Sequence, residues 1–223
     1  MKKKIKKSGF DNNLTNYGDI EFSSYLRRSF AKSMGYTDES LNKPIVGIIN
    51  TSSGFNSCHR HFPEMIDALK RGINSNGCLP VEFPVISLGE VYLHPTSMMF
   101  RNLMSMDVEE MIRAQPLDAV VLLGGCDKTL PAMIMGAISA EKPFVVLPAG
   151  PMITSKFEND RLGACTDCRR YWSKYREGKI SSHKISEVEN KLASSAGTCS
   201  VMGTASTMAC ISEVMGLSPV SYT

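Results

Sequence analysis

Four short apolar runs punctuate the chain, at residues 45–49, 81–86, 119–123 and 144–147. Each is short for a helix and reads as a strand buried on both faces. Between the runs the period changes. Phe62, Met65, Ile66, Leu69 and Ile73 recur at helical spacing, with Gly77 as a stop. Met104, Val108, Met111 and Ile112 predict a second helix that ends before Pro116, and Leu130, Met133, Ile134, Ala137 and Ile138 a third. These stripes read as core-facing sides. The alternation predicts an α/β fold: a three-layer domain whose mainly parallel sheet is flanked by helices through right-handed crossovers.

A sheet of this kind binds ligands beyond the carboxyl ends of its strands, so the polar residues after each run carry the functional expectation. The first loop holds Asn56-Ser57-Cys58-His59, and the second holds Ser87-Leu88-Gly89-Glu90. The third, Gly124-Gly125-Cys126-Asp127-Lys128-Thr129, puts a thiol, a carboxylate and an amine on consecutive residues. The fourth run ends in the tight turn Pro148-Ala149-Gly150-Pro151, and a later stretch of small residues carries Gly197-Thr198-Cys199. Cys58, Cys126 and Cys199 lie 68 and 73 residues apart, so no local finger spacing applies and the fold must gather them. As a set they suit an iron–sulfur cluster or zinc. Three thiolates on a cluster leave an iron position open to a substrate oxygen.

Glu90 and Asp127 are hard oxygen donors suited to Mg²⁺. On the residues alone, Lys128 reads as an ion-pair partner of Asp127. His59 stands beside Cys58 as a candidate substrate contact, metal ligand or acid–base group, whereas His61 reads as the flank of a helix. Thr129 and Ser200 are candidate hydrogen-bond donors to a substrate. Arg101 and Arg113 read either as carboxylate binders or as surface ion pairs.

Charge and cysteine usage narrow the class. The net charge is +3, but Lys2, Lys3, Lys4, Lys6 and Lys7 supply five positive charges and the remainder is net −2. That gives nucleic acid no binding face. Residues 1–20 read as a basic, disordered tail and 21–223 as the folded domain. No apolar segment follows the lysines, so they are not a secretory signal. Nothing approaches the roughly 20 apolar residues of a membrane span, and the expectation is a cytoplasmic enzyme. Seven cysteines, an odd number, point to thiols or metal ligands rather than disulfides. Cys165 and Cys168 form one C-x-x-C without a second pair, which is weak evidence for zinc or redox work. Cys78 and Cys210 read as small buried hydrophobes.

The stretch from Cys126 through Pro131 and Ala132 to Gly136, with Asn56-Ser57-Cys58-His59 and Gly197-Thr198-Cys199, resembles the dihydroxy-acid dehydratase and phosphogluconate dehydratase family over essentially residues 20–223. Ser87-Leu88-Gly89-Glu90 and Phe100-Arg101-Asn102 look more like its sugar-acid branch, which dehydrates pentonates and hexonates. The resemblance implies a 2Fe-2S cluster on Cys58, Cys126 and Cys199. It also implies Mg²⁺ on Glu90, Asp127 and Lys128, the lysine converted to a carbamate oxygen donor. The implied activity is that of a hydro-lyase taking a 2,3-dihydroxy acid to a 2-keto-3-deoxy acid, with a small hydroxy acid as ligand and a homo-oligomer as the assembly.

Family members are much longer, and a second, β-rich domain supplies a serine base and a further acidic magnesium ligand. On that reading the chain is an incomplete N-terminal portion, inactive alone, with its catalytic base elsewhere. Two alternatives stand beside it: a non-catalytic, cluster-binding half of a split enzyme, and a thiol-redox or zinc protein using Cys165 and Cys168. Branched-chain dihydroxy acids, arabinonate, xylonate and gluconate-type acids all fit as substrates, and the context of Glu90 favours a pentonate.

Overall fold

The computed structural model describes residues 8–14 and 16–219. The lysines at positions 2–7 lie outside the described residues. Residues 8–14, expected to belong to the tail, are packed: Phe10 and Leu14 are buried. The Asp118 carboxylate accepts from Gly9 N at 2.7 Å, Asn12 Nδ2 at 3.0 Å and Ile45 N at 2.8 Å. Helix α1, Ile20–Ser33, starts where the Asp19 side chain accepts from the Glu21 and Phe22 amides. The short α2, Asp38–Leu41, is capped in the same way by Thr37.

The apolar runs form a four-stranded parallel sheet from β1, Ile45–Asn50, β2, Leu79–Pro84, β3, Ala119–Gly124, and β4, Phe144–Pro148, in the order β2-β1-β3-β4. Helix α3, Phe62–Ser75, crosses from β1 to β2; α4, Met98–Ala114, from β2 to β3; and α5, Thr129–Ser139, from β3 to β4. The second strand begins and ends two residues earlier than its apolar run. Its register with β1, Ile45 opposite Leu79 through Asn50 opposite Pro84, brings in Pro80 and Pro84. Proline is tolerated there because β2 is an edge strand. After Pro84 the chain leaves the sheet, and Ile86 N donates to the Asp107 carboxylate at 2.9 Å.

One sheet face packs with Met104, Val108 and Ile112 of α4 and Leu130, Met133 and Ala137 of α5 into the main core. Phe62 and Ile66 of α3 pack on the other face against Ile48 and Leu123. The expected three layers are present. Among the described residues, no helix is long and apolar enough to cross a membrane. Beyond β4 comes a hairpin of β5, Ser155–Phe157, and β6, Asp160–Leu162, followed by α6, Ala164–Arg176, and α7, Ser182–Leu192. These form a separate small core of Phe157, Leu162, Tyr171 and Val188. Helix α8, Thr204–Val214, returns to the main core through Met208 and Ala209.

Candidate active site

The strand order makes the site. From β1 the chain moves outward to β2, and from β3 outward to β4, so the sheet reverses direction between β1 and β3. The carboxyl ends at such a reversal diverge and leave a crevice. Cys58 follows β1 and Cys126 follows β3, one on each side of it. Cys199 is brought to the same edge by the segment after α7, where Gly197 N donates to Cys58 O at 2.9 Å and Thr198 N to Gly150 O at 2.8 Å. Gly197 has φ +107°, and a Cβ there would stand 2.7 Å from Gly150 O, so this crossing admits only glycine. Gly89 does similar work for the Glu90 loop, where a Cβ would stand 1.9 Å from Phe55 O.

The three thiols meet. Cys58 lies close enough to Cys126 and Cys199 for both to act on its ionisation. Its pKa is pushed up to about 12, chiefly by Cys126, with Cys199 acting in the opposite sense and burial adding to the rise. Cys126 is buried, and its thiol also donates to Asn56 Oδ1 at 3.1 Å. Crowded thiols resist ionising together, so a metal centre here must displace protons as it binds. As the side chains stand, no group of three or more histidine, cysteine, aspartate or glutamate residues among those described is arranged to hold a metal ion. The donor chemistry nonetheless fits a thiophilic centre: three adjacent thiols from three loops.

His59 is fully buried, stacked on Phe62 with ring centroids 4.3 Å apart. Its Nε2 faces two backbone donors, Gly125 N at 2.9 Å and Cys126 N at 3.0 Å, and must be the acceptor. The ring proton therefore sits on Nδ1 and is donated to Thr51 O at 2.9 Å. Burial holds the His59 pKa down at about 4, against a smaller upward pull from that Thr51 carbonyl. With both nitrogens engaged by the protein, His59 is not placed to touch a substrate.

The second cluster lies next to Cys126. Lys128 Nζ stands 2.5 Å from Asp127 Oδ2 and 3.6 Å from Glu90 Oε2, and the Ser97 hydroxyl donates to the same Glu90 oxygen. Burial is the largest single influence on Lys128 and opposes its charge. The bonds and charges of Asp127 and Glu90 together outweigh it and raise its pKa above the ordinary lysine value. A cation thus already bridges the two carboxylates. Converted to a carbamate, Lys128 would turn that pair into a three-carboxylate set, the hard donors Mg²⁺ takes.

Thr129, the other expected substrate contact, is fully buried at the start of α5, and its hydroxyl has no hydrogen-bond partner. Ser200 Oγ is likewise buried and unpartnered. Arg113 pairs with Glu109 and the Ser139 carbonyl, as an ordinary surface cation does. His61 precedes α3 as expected, its Nε2 2.9 Å from Ala149 O. Cys168 lies on α6, while the Cys165 side chain lies outside what is described. Cys210, expected to be buried, is exposed, and Cys78 is half-buried. Sequence reasoning missed Thr51, Asn56 and Ser97, all buried. No local pattern distinguishes such residues from ordinary loop serines, threonines and asparagines.

Comparison with known proteins bears on this constellation. Residues 43–223 match the family model described as dihydroxy-acid/6-phosphogluconate dehydratase, N-terminal. The chain belongs to that family. Among dehydratases similar to it, L-arabonate dehydratase of Azospirillum brasilense is 45% identical over 202 residues, covering 90% of this chain and 35% of that protein. The 6-deoxy-6-sulfo-D-gluconate dehydratase of Pseudomonas putida is 44% identical over 179 residues, covering 80% and 31%. D-xylonate dehydratase of Caulobacter vibrioides is 39% identical over 196 residues, covering 87% and 33%. This dehydratase-family chain spans about a third of the length of the curated relatives it matches.

Proposed function

We propose that this chain is the cluster-holding N-terminal portion of a hydro-lyase that dehydrates a 2,3-dihydroxy sugar acid to a 2-keto-3-deoxy acid. The observation that carries the reading is the meeting of Cys58, Cys126 and Cys199 beside the Lys128–Asp127–Glu90 group at the reversal point of the sheet. Cys58, Cys126 and Cys199 would hold a 2Fe-2S cluster, and Glu90, Asp127 and a carbamylated Lys128 would hold Mg²⁺. When bound, these groups supply Lewis-acid polarisation of the leaving hydroxyl and neutralise the substrate carboxylate.

This chain's residues do the holding. Asn56 and His59 hold the Cys126 loop, and Ser97 orients Glu90. Proton abstraction from C2 is assigned to a residue outside this chain. The sugar acids in the names of the similar dehydratases support an aldonate over a branched-chain acid, and among aldonates a pentonate is the first to try.

The test is anaerobic reconstitution with iron and sulfide, followed by metal analysis and the visible spectrum. The expected result is a coloured chain with two irons and two sulfides, abolished by Cys126→Ser. A chain that takes zinc but no sulfide would overturn the cluster. Mixing the loaded chain with a separately made C-terminal part then tests dehydration, with 2-keto acid formation from aldonates as the readout.

A further inference from the structure

His59 does no chemistry in the reaction proposed above, yet its environment is built with more care than that of any ligand. Its ring is fully buried, stacked on Phe62, with its Nε2 edge against Gly125 just after the third strand. We infer that His59 is the positioning residue that sets the spacing of the Cys58 and Cys126 thiols, by serving as one acceptor for two successive amides of the Cys126 loop. The inference rests on the reading of those two cysteines as ligands.

Three observations carry it. First, His59 is joined to Cys58 through one peptide bond, inside the same turn of 3₁₀ helix, Ser57–His59, so fixing the ring fixes the Cys58 backbone. Second, Nε2 receives Gly125 N and Cys126 N together, at 2.9 and 3.0 Å, so the same atom fixes the backbone of the second cysteine. Third, the far side of the ring is tied to the sheet. Nδ1 donates to Thr51 O, and the Thr51 hydroxyl donates to Leu123 O at 2.8 Å, so the histidine is referenced to the ends of β1 and β3 at once. Two loops 68 residues apart in sequence are thus held in register by one imidazole. The thiols themselves need only point inward. An outer residue that orients metal ligands in this way is part of a site's construction even though it never touches the metal.

Two variants separate the acceptor from the ring. His59→Phe keeps an aromatic face for Phe62 and removes the acceptor, whereas His59→Gln returns an acceptor oxygen at the reach of Nε2 without the ring. The first readout uses the metal-free chain equilibrated with reduced and oxidised glutathione. The Cys58–Cys126 disulfide is quantified by peptide mass, which gives the effective concentration of one thiol at the other. That value is expected to fall by about tenfold or more in His59→Phe, the scale on which outer partners weaken a metal site, and to recover in His59→Gln. The second readout is iron and sulfide content with the visible spectrum after reconstitution, expected to be depleted and shifted in His59→Phe and restored in His59→Gln.

A His59→Phe chain with the wild-type thiol-pair value and spectrum overturns the inference. So does a folded His59→Gln chain that loses both, which decides the matter if His59→Phe fails to fold. Should the wild-type chain take up no iron and sulfide, the cluster reading falls by itself, and the glutathione measurement still decides the role of His59.

Discussion

Replacing Gly125 by alanine adds a methyl group where β3 and β4 deliver their loops to the cysteine site. The new Cβ would stand 2.4 Å from the Ala149 Cβ and 3.5 Å from His59 Cδ2 and Nε2. Ala149 has no rotamer to change, and it packs with Ile48, Phe62 and Leu123, so the backbone must yield. Overpacking of this kind costs about 1–3 kcal/mol, of which the stiffer unfolded chain returns about 0.4–1 kcal/mol. At mid-range values the net loss is about 1.3 kcal/mol, or a fall of roughly 3–5 °C in Tm for a chain of this size.

Gly72 supplies the internal control. It lies inside α3 with nothing within 4 Å of an added Cβ, so Gly72→Ala should stabilise by about 0.5–1 kcal/mol through helix propensity. The assay is urea unfolding followed by circular dichroism, comparing midpoints at constant m. Gly125→Ala should also lower cluster loading, since the displaced backbone carries the two amides that His59 receives. A Gly125→Ala chain as stable as wild type, with full loading, would refute the crowding argument. A destabilised Gly72→Ala would refute the reading of α3 as open on that side.

Asp118→Ala strips the acceptor from Gly9 N and Ile45 N. It should cost about 1–3 kcal/mol for the unsatisfied amides and expose residues 8–14 to limited proteolysis before the rest of the chain. In the metal-free chain, the depressed pKa of His59, about 4, means that the unfolded state takes up a proton first as pH falls. Stability is therefore full above the ordinary histidine pKa and declines from about pH 6.5 to about pH 4, by about 3 kcal/mol for this one group; denaturation midpoints across that range check it, and a flat profile contradicts it. Stripping metal with a chelator should leave far-UV dichroism and the cooperative melt in place, because the cysteine loops are held by backbone and His59 bonds rather than by metal; a melted apo chain would reverse that view.

The sheet was legible because buried parallel strands must be continuously apolar, and the runs of β1, β3 and β4 match their strands to within a residue. The second run misled at its ends: Pro80 looks like a strand breaker until the strand is known to be an edge, and apolar Val85 and Ile86 carry the pattern past Pro84, where the strand stops. The small hairpin of β5 and β6, three residues a strand, carries no readable period. The loops after the strands put Cys58, Glu90 and Cys126 at the carboxyl edge, while the grouping of Glu90 with Asp127 and Lys128 came only with the resemblance. The division of labour at that edge was not legible. His59 looks like chemistry because it adjoins a cysteine after a strand, and only the two amides aimed at its Nε2 reveal an acceptor. Thr51 and Ser97 gave no signal because a hydroxyl's task is set by a partner distant in sequence: Leu123 O for Thr51, and Glu90 across a loop for Ser97.

The way the cysteines are gathered bears on what kind of metal centre this edge would hold. A structural zinc site draws its folding energy from the metal, because its ligands have little else to bring them together. Here each cysteine loop has its own reason to be where it is. The Cys58 loop is packed by Phe62 and His59, the Cys126 loop is received by His59 and Asn56, and the Cys199 segment is tied by Gly197 N to Cys58 O. The scaffold therefore contributes the geometry, and a bound metal would be free to contribute chemistry. In the metal-free chain, the proton held on Cys58 and the ammonium of Lys128 balance the crowded thiols and the paired carboxylates. Exchanging those for a cluster and a divalent ion changes the charge carriers while the loops stay in place, which is the preorganisation a site needs if binding energy is to go into the reaction rather than into folding.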